Sequence, residues 1–494
     1  MSARRSYSRG ARRGRAAGEL ALVLHTHMPY VEGGASWPRP PEERNPAGFG
    51  TWPFGEEWLW EAIATSYLPL LDLVARAPIT LSLTPVLCDQ LENEGGSERC
   101  IRFLTEVRPE SHRRDIEVLR AQGHDALVAP LEYSASVYAT AAQRLEALPA
   151  GLLGALGPYA AWTSAATHAI LPLLVSEAAI AVQVGTGVAA HRRRFGQWQG
   201  GFWLPECAHA PWLEPLLAEA GVRAICLDLT EQLGLAARAN LRPFASDEGL
   251  VIWPLDRETI SLVWHPRGYP SRGPYRDSHR LTPTHHHAWR NDGGPYDQEL
   301  GLVQARADAR EFVARVRGRV AAGGVCVCAL DTELLGHWWH EGPAWLAAVI
   351  DEAAQQGLRL STLDEALGRH EPEPFRFESA AHDTVSSERL ATSWGEGGDL
   401  RTWSGPAVAD LAWRVRSAEL KTLRAGRPGR RAIRELLAMQ ASDWAFLAYR
   451  GLASDYARER VEAHARALEL ALAGTPGLAP ELRNLAPDLV PWPG

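Results

Sequence analysis

The 494-residue chain lacks any apolar run long enough to span a bilayer, which excludes a protein built on transmembrane helices. It shows no internal repeat. No strand-like segment is followed by a GxGxxG or P-loop pattern, so a nucleotide site has no support. The histidines never take the H-x-x-x-H or H-E-x-x-H spacing of a helical zinc site. The six cysteines (Cys88, Cys100, Cys207, Cys226, Cys326, Cys328) form no CxxC pair. Cys326 and Cys328 alternate along an apolar strand, where buried free thiols are common, and the set fits a reducing cytoplasm. A formal net charge of −8 gives no general attraction for nucleic acid or for a membrane surface.

What the chain does carry is tryptophan, 19 residues against 11 Tyr and 10 Phe. Indole faces stack on sugar C–H surfaces while the N–H finds an acceptor, so the excess suits a carbohydrate groove; core packing uses the same residues. Its length points to one large domain with an insertion or appendage, or to two or three domains. Arg4, Arg5, Arg9, Arg12, Arg13 and Arg15 crowd the start like the n-region of an export signal. The segment that follows, Glu19 to Val31, holds His25 and His27 and no small-residue cleavage site. A disordered basic tail over 1–17 is expected.

Strands and helices then alternate. Strands are expected at Leu20–His25, Ile79–Val86, Ala161–Ala166, the run before Glu206, Ala224–Asp228, Leu250–Leu255, Thr259–His265 and Gly324–Asp331. Gly33–Gly55 is a long Pro/Gly/Trp-rich loop, and residues 88–158 are helical and charged, an insertion in the alternation. After about 375 the strand signals stop and helices follow. The fold class is α/β: an incomplete parallel barrel over 18–375, a helical insertion at about 88–158, and a C-terminal helical domain over 376–494.

Two strands stop on carboxylates. Gly201-Phe-Trp-Leu-Pro-Glu-Cys207 presents Glu206 after a proline that cannot extend a ladder, with Trp203 beside it. The run 324–330 ends on Asp331, followed by Glu333, His337, Trp338, Trp339 and His340. Glycoside chemistry needs two carboxyl groups flanking the scissile bond, one of them held neutral by its surroundings. Each carboxylate alone could equally cap the next turn. The histidines permit a rival: His25, His27, His168 and His337 with Asp331 have the ligand types of an open zinc site, as in a metal-dependent hydrolase. His285, His286 and His287 lie in a polar loop and are expected to be solvated.

His25-Thr-His-Met-Pro-Tyr-Val31, Thr163-Ser-Ala-Ala-Thr-His168, the Glu206 segment, Asp331-Thr-Glu-Leu-Leu-Gly-His-Trp-Trp339 and Ser393-Trp-Gly-Glu-Gly-Gly-Asp399 resemble the five ordered motifs of glycoside hydrolase family 57. The nearest branch is that of the 1,4-α-glucan branching enzymes, and Ser442-Asp-Trp-Ala-Phe446 in the helical tail fits as well. The resemblance implies a (β/α)7 barrel, a retaining mechanism, Glu206 as nucleophile and Asp331 as general acid/base. It places His25 and His168 beside the scissile bond and Trp264, Trp394 and Trp403 along the groove. His27, Trp203 and His337 complete the candidate substrate-binding set. The implied partner is an α-1,4-glucan; no metal or other cofactor is implied. A 6-hydroxyl acceptor would yield α-1,6 branches in glycogen-type synthesis. Water as acceptor would make a hydrolase, and a 4-hydroxyl a 4-α-glucanotransferase. The chain departs from the branch at Leu229–Ser246, which has no tyrosine where those enzymes offer one over the site.

Overall fold

The computed structural model describes residues 18–32, 55–377, 391–475, 482 and 484–493. The basic tail over 1–17 and nearly all of the Gly33–Gly55 loop lie outside the described residues.

The frame is a ring of parallel strands. β1 (Glu19–Thr26) pairs with β2 (Thr80–Leu83), which pairs with β3 (Ala160–Ser164), which pairs with β4 (Phe202–Trp203). A bridge from Gly201 to Ala224 leads to β5 (Ala224–Leu227). Between β5 and its parallel partner β7 (Val251–Pro254) in the chain comes β6 (Phe244–Ala245), antiparallel to β7. The Asp256 N–H donates to the Val327 carbonyl (2.9 Å) and joins β7 to β8 (Val325–Asp331), which returns to β1. β9 (Arg359–Leu360) runs beside the start of β1, and β10 (Glu373–Pro374) beside β6. β1 is buried along its whole length and β8 up to Asp331, as near-continuous apolar runs require in a parallel sheet covered on both faces. The result is an incomplete (β/α)7 barrel.

One expected strand is a helix. Of Thr259–His265, all but the capping His265 lies within the helix Arg257–Trp264. Its β-branched residues read as a strand, but Pro254 ends the ladder and the buried positions 259, 260 and 263 recur at helical spacing. Trp264 therefore stands at a helix end, 43% exposed.

Between β2 and β3 the chain forms only helices, the longest Val128–Glu146. After the barrel, Ala409–Arg424, Arg430–Met439, Ser442–Tyr449 and Tyr456–Leu472 pack around their own apolar cluster. No helix among the described residues is long and apolar enough to cross a membrane.

Candidate active site

The turn after β4 is strained where the chemistry would need it. Glu206 (φ 59°) and Cys207 (φ 51°) adopt left-handed backbone, and so does His168 (φ 60°) after β3. Each such non-glycine costs of order 1–3 kcal/mol and persists only where neighbours enforce it. The Trp394 N–H donates to the Glu206 carbonyl (3.0 Å), and the Ser442 N–H to the His168 carbonyl (3.1 Å). The loop after the barrel and the helical domain thus hold both turns.

The Glu206 carboxylate accepts from Trp394 Nε1 (2.8 Å) and Ser442 Oγ (3.2 Å). Burial raises its pKa to about 7; the Trp394 bond opposes that rise, and the charge of Asp443 adds to it. Asp331 ends β8 in register with His25 on β1. Among the described residues no donor reaches its carboxylate. Burial, then the charges of Glu206, Glu333 and Asp443, push it well above the carboxylate range. Burial also lifts Glu333 to about 7, while the Tyr67 hydroxyl and the His27 N–H (3.0 Å) hold it in place.

The histidines form one stack. His25 Nε2 lies 2.9 Å from His168 Nε2, and the His25 ring packs on Trp203 at 4.9 Å between centroids. Ser82, opposite His25 in the β1–β2 register, meets its Nδ1 at 3.2 Å. His27 stacks on His168 (4.0 Å), with Nδ1 on the Thr84 hydroxyl (3.1 Å) and Nε2 on Asp443 (2.9 Å). Burial keeps His25 and His168 well below their usual range. It pulls His27 the same way, but Asp443 overrides it and the net shift is upward.

This bonding bears on the zinc alternative. Among the described residues the one grouping with metal-like spacing is His27, His168 and Asp443, without His337 or Asp331. His27 is hydrogen-bonded through both nitrogens, to Thr84 and to Asp443, which leaves neither free for a metal. The donor set fits a hydrogen-bonded cluster better than an ion.

The remaining candidates divide. Trp394 covers Glu206 and meets Trp203 edge-on (5.1 Å). His337 is half-buried beside the exposed Trp338, its N–H on the Ser66 hydroxyl (3.1 Å). Trp403 is 3% exposed, packed with Ile170 and Ala208 beneath the Trp394 loop rather than facing open solvent. His286 was expected to be solvated; instead it is buried, stacked on His112 at 3.6 Å and bonded to Ser111 Oγ at 2.9 Å. The helical insertion covers that loop, which its polar sequence does not announce. Ser442, Asp443, Tyr67, Ser82 and Thr84 escaped the sequence-level site. Ser442 and Asp443 had one available signal, their place at a helix start in a segment that matches the family.

The family model for glycosyl hydrolase family 57 matches residues 159–378, and that for the 1,4-alpha-glucan branching enzyme C-terminal domain matches 407–474. A probable 1,4-alpha-glucan branching enzyme of Mycobacterium tuberculosis is 30% identical over 533 residues, covering 95% of this chain and 94% of the relative. The chain belongs to glycoside hydrolase family 57. A second family member, a 1,4-alpha-glucan branching enzyme of Thermococcus kodakarensis, is 30% identical over 91% of this chain and 72% of its own. The crystal structure of a GH57-type branching enzyme from Pyrococcus horikoshii superposes with a TM-score of 0.80 at 28% identity, covering 92% of this chain and 89% of that one. The α-amylase AmyC of Thermotoga maritima shares the family fold at a TM-score of 0.71 and 22% identity, covering 92% and 93%.

Proposed function

We propose that this family 57 protein is a 1,4-α-glucan branching enzyme that works by retaining double displacement, with Glu206 as nucleophile and Asp331 as general acid/base. The observation that carries the role assignment is the unequal treatment of the two carboxylates. Glu206 has two donors that favour its anion, and Asp331 has none and faces three other carboxylates. Two acids whose surroundings push their pKa values apart divide into base and acid in that order. Asp331 protonates the leaving glycosidic oxygen as Glu206 attacks the anomeric carbon. Asp331 then takes the proton of an incoming glucan 6-hydroxyl, which displaces Glu206 and forms the α-1,6 bond. His25, His168 and Trp203 form the wall against which the sugar is held.

In this reading residues 18–375 carry the chemistry and 376–494 complete the site, a division supported by Ser442 and Asp443 reaching Glu206 and His27. A cytoplasmic site of action is supported by six free, buried thiols. Asp228, the residue before the Leu229–Ser246 segment, pairs with Arg257 (3.0 Å), which also donates to the Trp394 carbonyl (3.0 Å).

The test is amylose incubated with the protein, with the α-1,6 anomeric proton read by NMR beside released reducing ends. Branching predicts a growing α-1,6 signal, few reducing ends and a rate unchanged by chelator. Reducing ends alone would make it a hydrolase, and redistributed chain lengths without α-1,6 signal a 4-α-glucanotransferase.

A further inference from the structure

A second cavity, of about 250 Å³, lies between the helical insertion and the barrel, away from the two catalytic carboxylates. Its walls are Ala64, Thr65 and Pro69 on one side and Tyr133 from the insertion helix on another. The first turns of helices Gln298–Arg319 and Gly342–Gln356 complete it. These helices precede and follow β8, so their starts open on the same barrel face as Asp331.

The lining combines flat rings with hydrogen-bonding ends. Tyr133, Tyr296 and His340 form a three-sided aromatic corner, with centroids 5.7 to 6.2 Å apart and His340 edge-on to both tyrosines. Gln298 reaches the Tyr133 hydroxyl at the mouth. At the base Glu341 is 2% exposed; its carboxylate accepts from the Arg276 N–H (3.1 Å) and is hydrogen-bonded by the Tyr296 hydroxyl. An anion would be repelled by Glu341. A cation would meet the Arg276 guanidinium, 5.9 Å from the Tyr296 centroid. A neutral ligand with hydroxyl donors and an apolar C–H face satisfies both constraints, and the volume admits one or two hexose rings.

We propose that this cavity is an accessory α-glucan site that takes glucosyl units of a chain whose other end lies in the catalytic cleft. The inference rests on the glucan reading above. The π-helical turn Ile63–Tyr67 connects the two sites: Thr65 faces the cavity, while Tyr67 donates to the His27 carbonyl (3.3 Å) beside the catalytic carboxylates. Such turns recur where a helix serves a functional site.

The test uses the full chain. Glu206→Gln, blocked in turnover, should bind maltose, one molecule in each site, at two sites per chain by titration calorimetry, and adding Tyr133→Ala should leave one. In the active background, Tyr133→Ala and Gln298→Ala should each raise the KM for amylose, on the order of fivefold for loss of a stacking ring, with kcat and Tm unchanged. Gln298 is exposed at a helix start, so its variant carries the test if Tyr133→Ala fails to fold. Unchanged stoichiometry and KM in both variants, with branching intact, would overturn the accessory site alone. Absence of maltose binding and of glucan turnover would overturn the glucan reading and this site with it.

Discussion

Strands β1 and β8 run side by side from Glu19–Val325 to His25–Asp331, and each end carries a carboxylate. At the N-terminal end Glu19 is 1% exposed; burial pushes its pKa up, but Arg369 (2.7 and 2.8 Å), Ser361 (2.5 Å) and His370 hold it down at about 2. At the C-terminal end burial acts on Asp331 in the same direction, and nothing opposes it; other carboxylates reinforce it. Asp331 is half-buried where Glu19 is enclosed, yet the larger difference between the two ends is in compensation. One end spends its polar partners on stability, while the other withholds them and leaves Asp331 raised above the carboxylate range.

The largest effect that would sharpen this contrast is at the catalytic end. Glu206→Gln and Asp331→Asn should lower kcat on the order of 10⁴-fold, read as α-1,6 bonds formed. Glu206 has its folded pKa raised from 4.5 to about 7, so its ionisation lowers stability as pH rises through that interval. Glu206→Gln should therefore melt above the wild type at pH 8. A lower Tm would break the comparison.

Next in size is Glu19→Gln, expected to lose about 3 kcal/mol in denaturant unfolding with kcat unchanged, as for a buried ion pair deprived of one partner. The folded pKa of Glu19, about 2, lies below its ordinary 4.5, so the stability it adds is complete above pH 4.5 and is lost as pH falls toward 2. The variant should show a flatter acid limb. A loss of activity without a loss of stability would contradict the division between the ends.

Trp394→Phe removes a donor to Glu206 and should move the acid limb of kcat/KM upward by about one pH unit, roughly a tenfold loss at pH 6. The smallest effect belongs to Asp443→Asn. Removing a charge that raises Asp331 should shift the basic limb downward, with kcat reduced only about threefold. A pH profile identical to wild type would show that the helical domain closes the site without tuning it.

Both catalytic candidates were legible because an apolar run that stops on a carboxylate marks a strand end in a parallel barrel, whatever packs outside it. The barrel was legible for the same reason, through buried runs such as Val325–Leu330. Thr259–His265 misled because β-branched residues serve a buried helix face as well as a strand, and the arbiter was the ladder ending at Pro254. His286 misled because its cover, Ser111 and His112, arrives from a helix 175 residues earlier.

By itself the sequence determined the alternation of elements, the two strand-end carboxylates and the family, since periodicity and motif order are local properties of the chain. Only the tertiary structure decided the protonation pattern. Whether a buried acid is ionised depends on the donors and charges around it, and here they come from 236 residues away in Ser442. His27 owes its upward shift to Asp443, 416 residues along the chain. No local pattern encodes such contacts, because folding brings them together only after each partner has been committed to its own element.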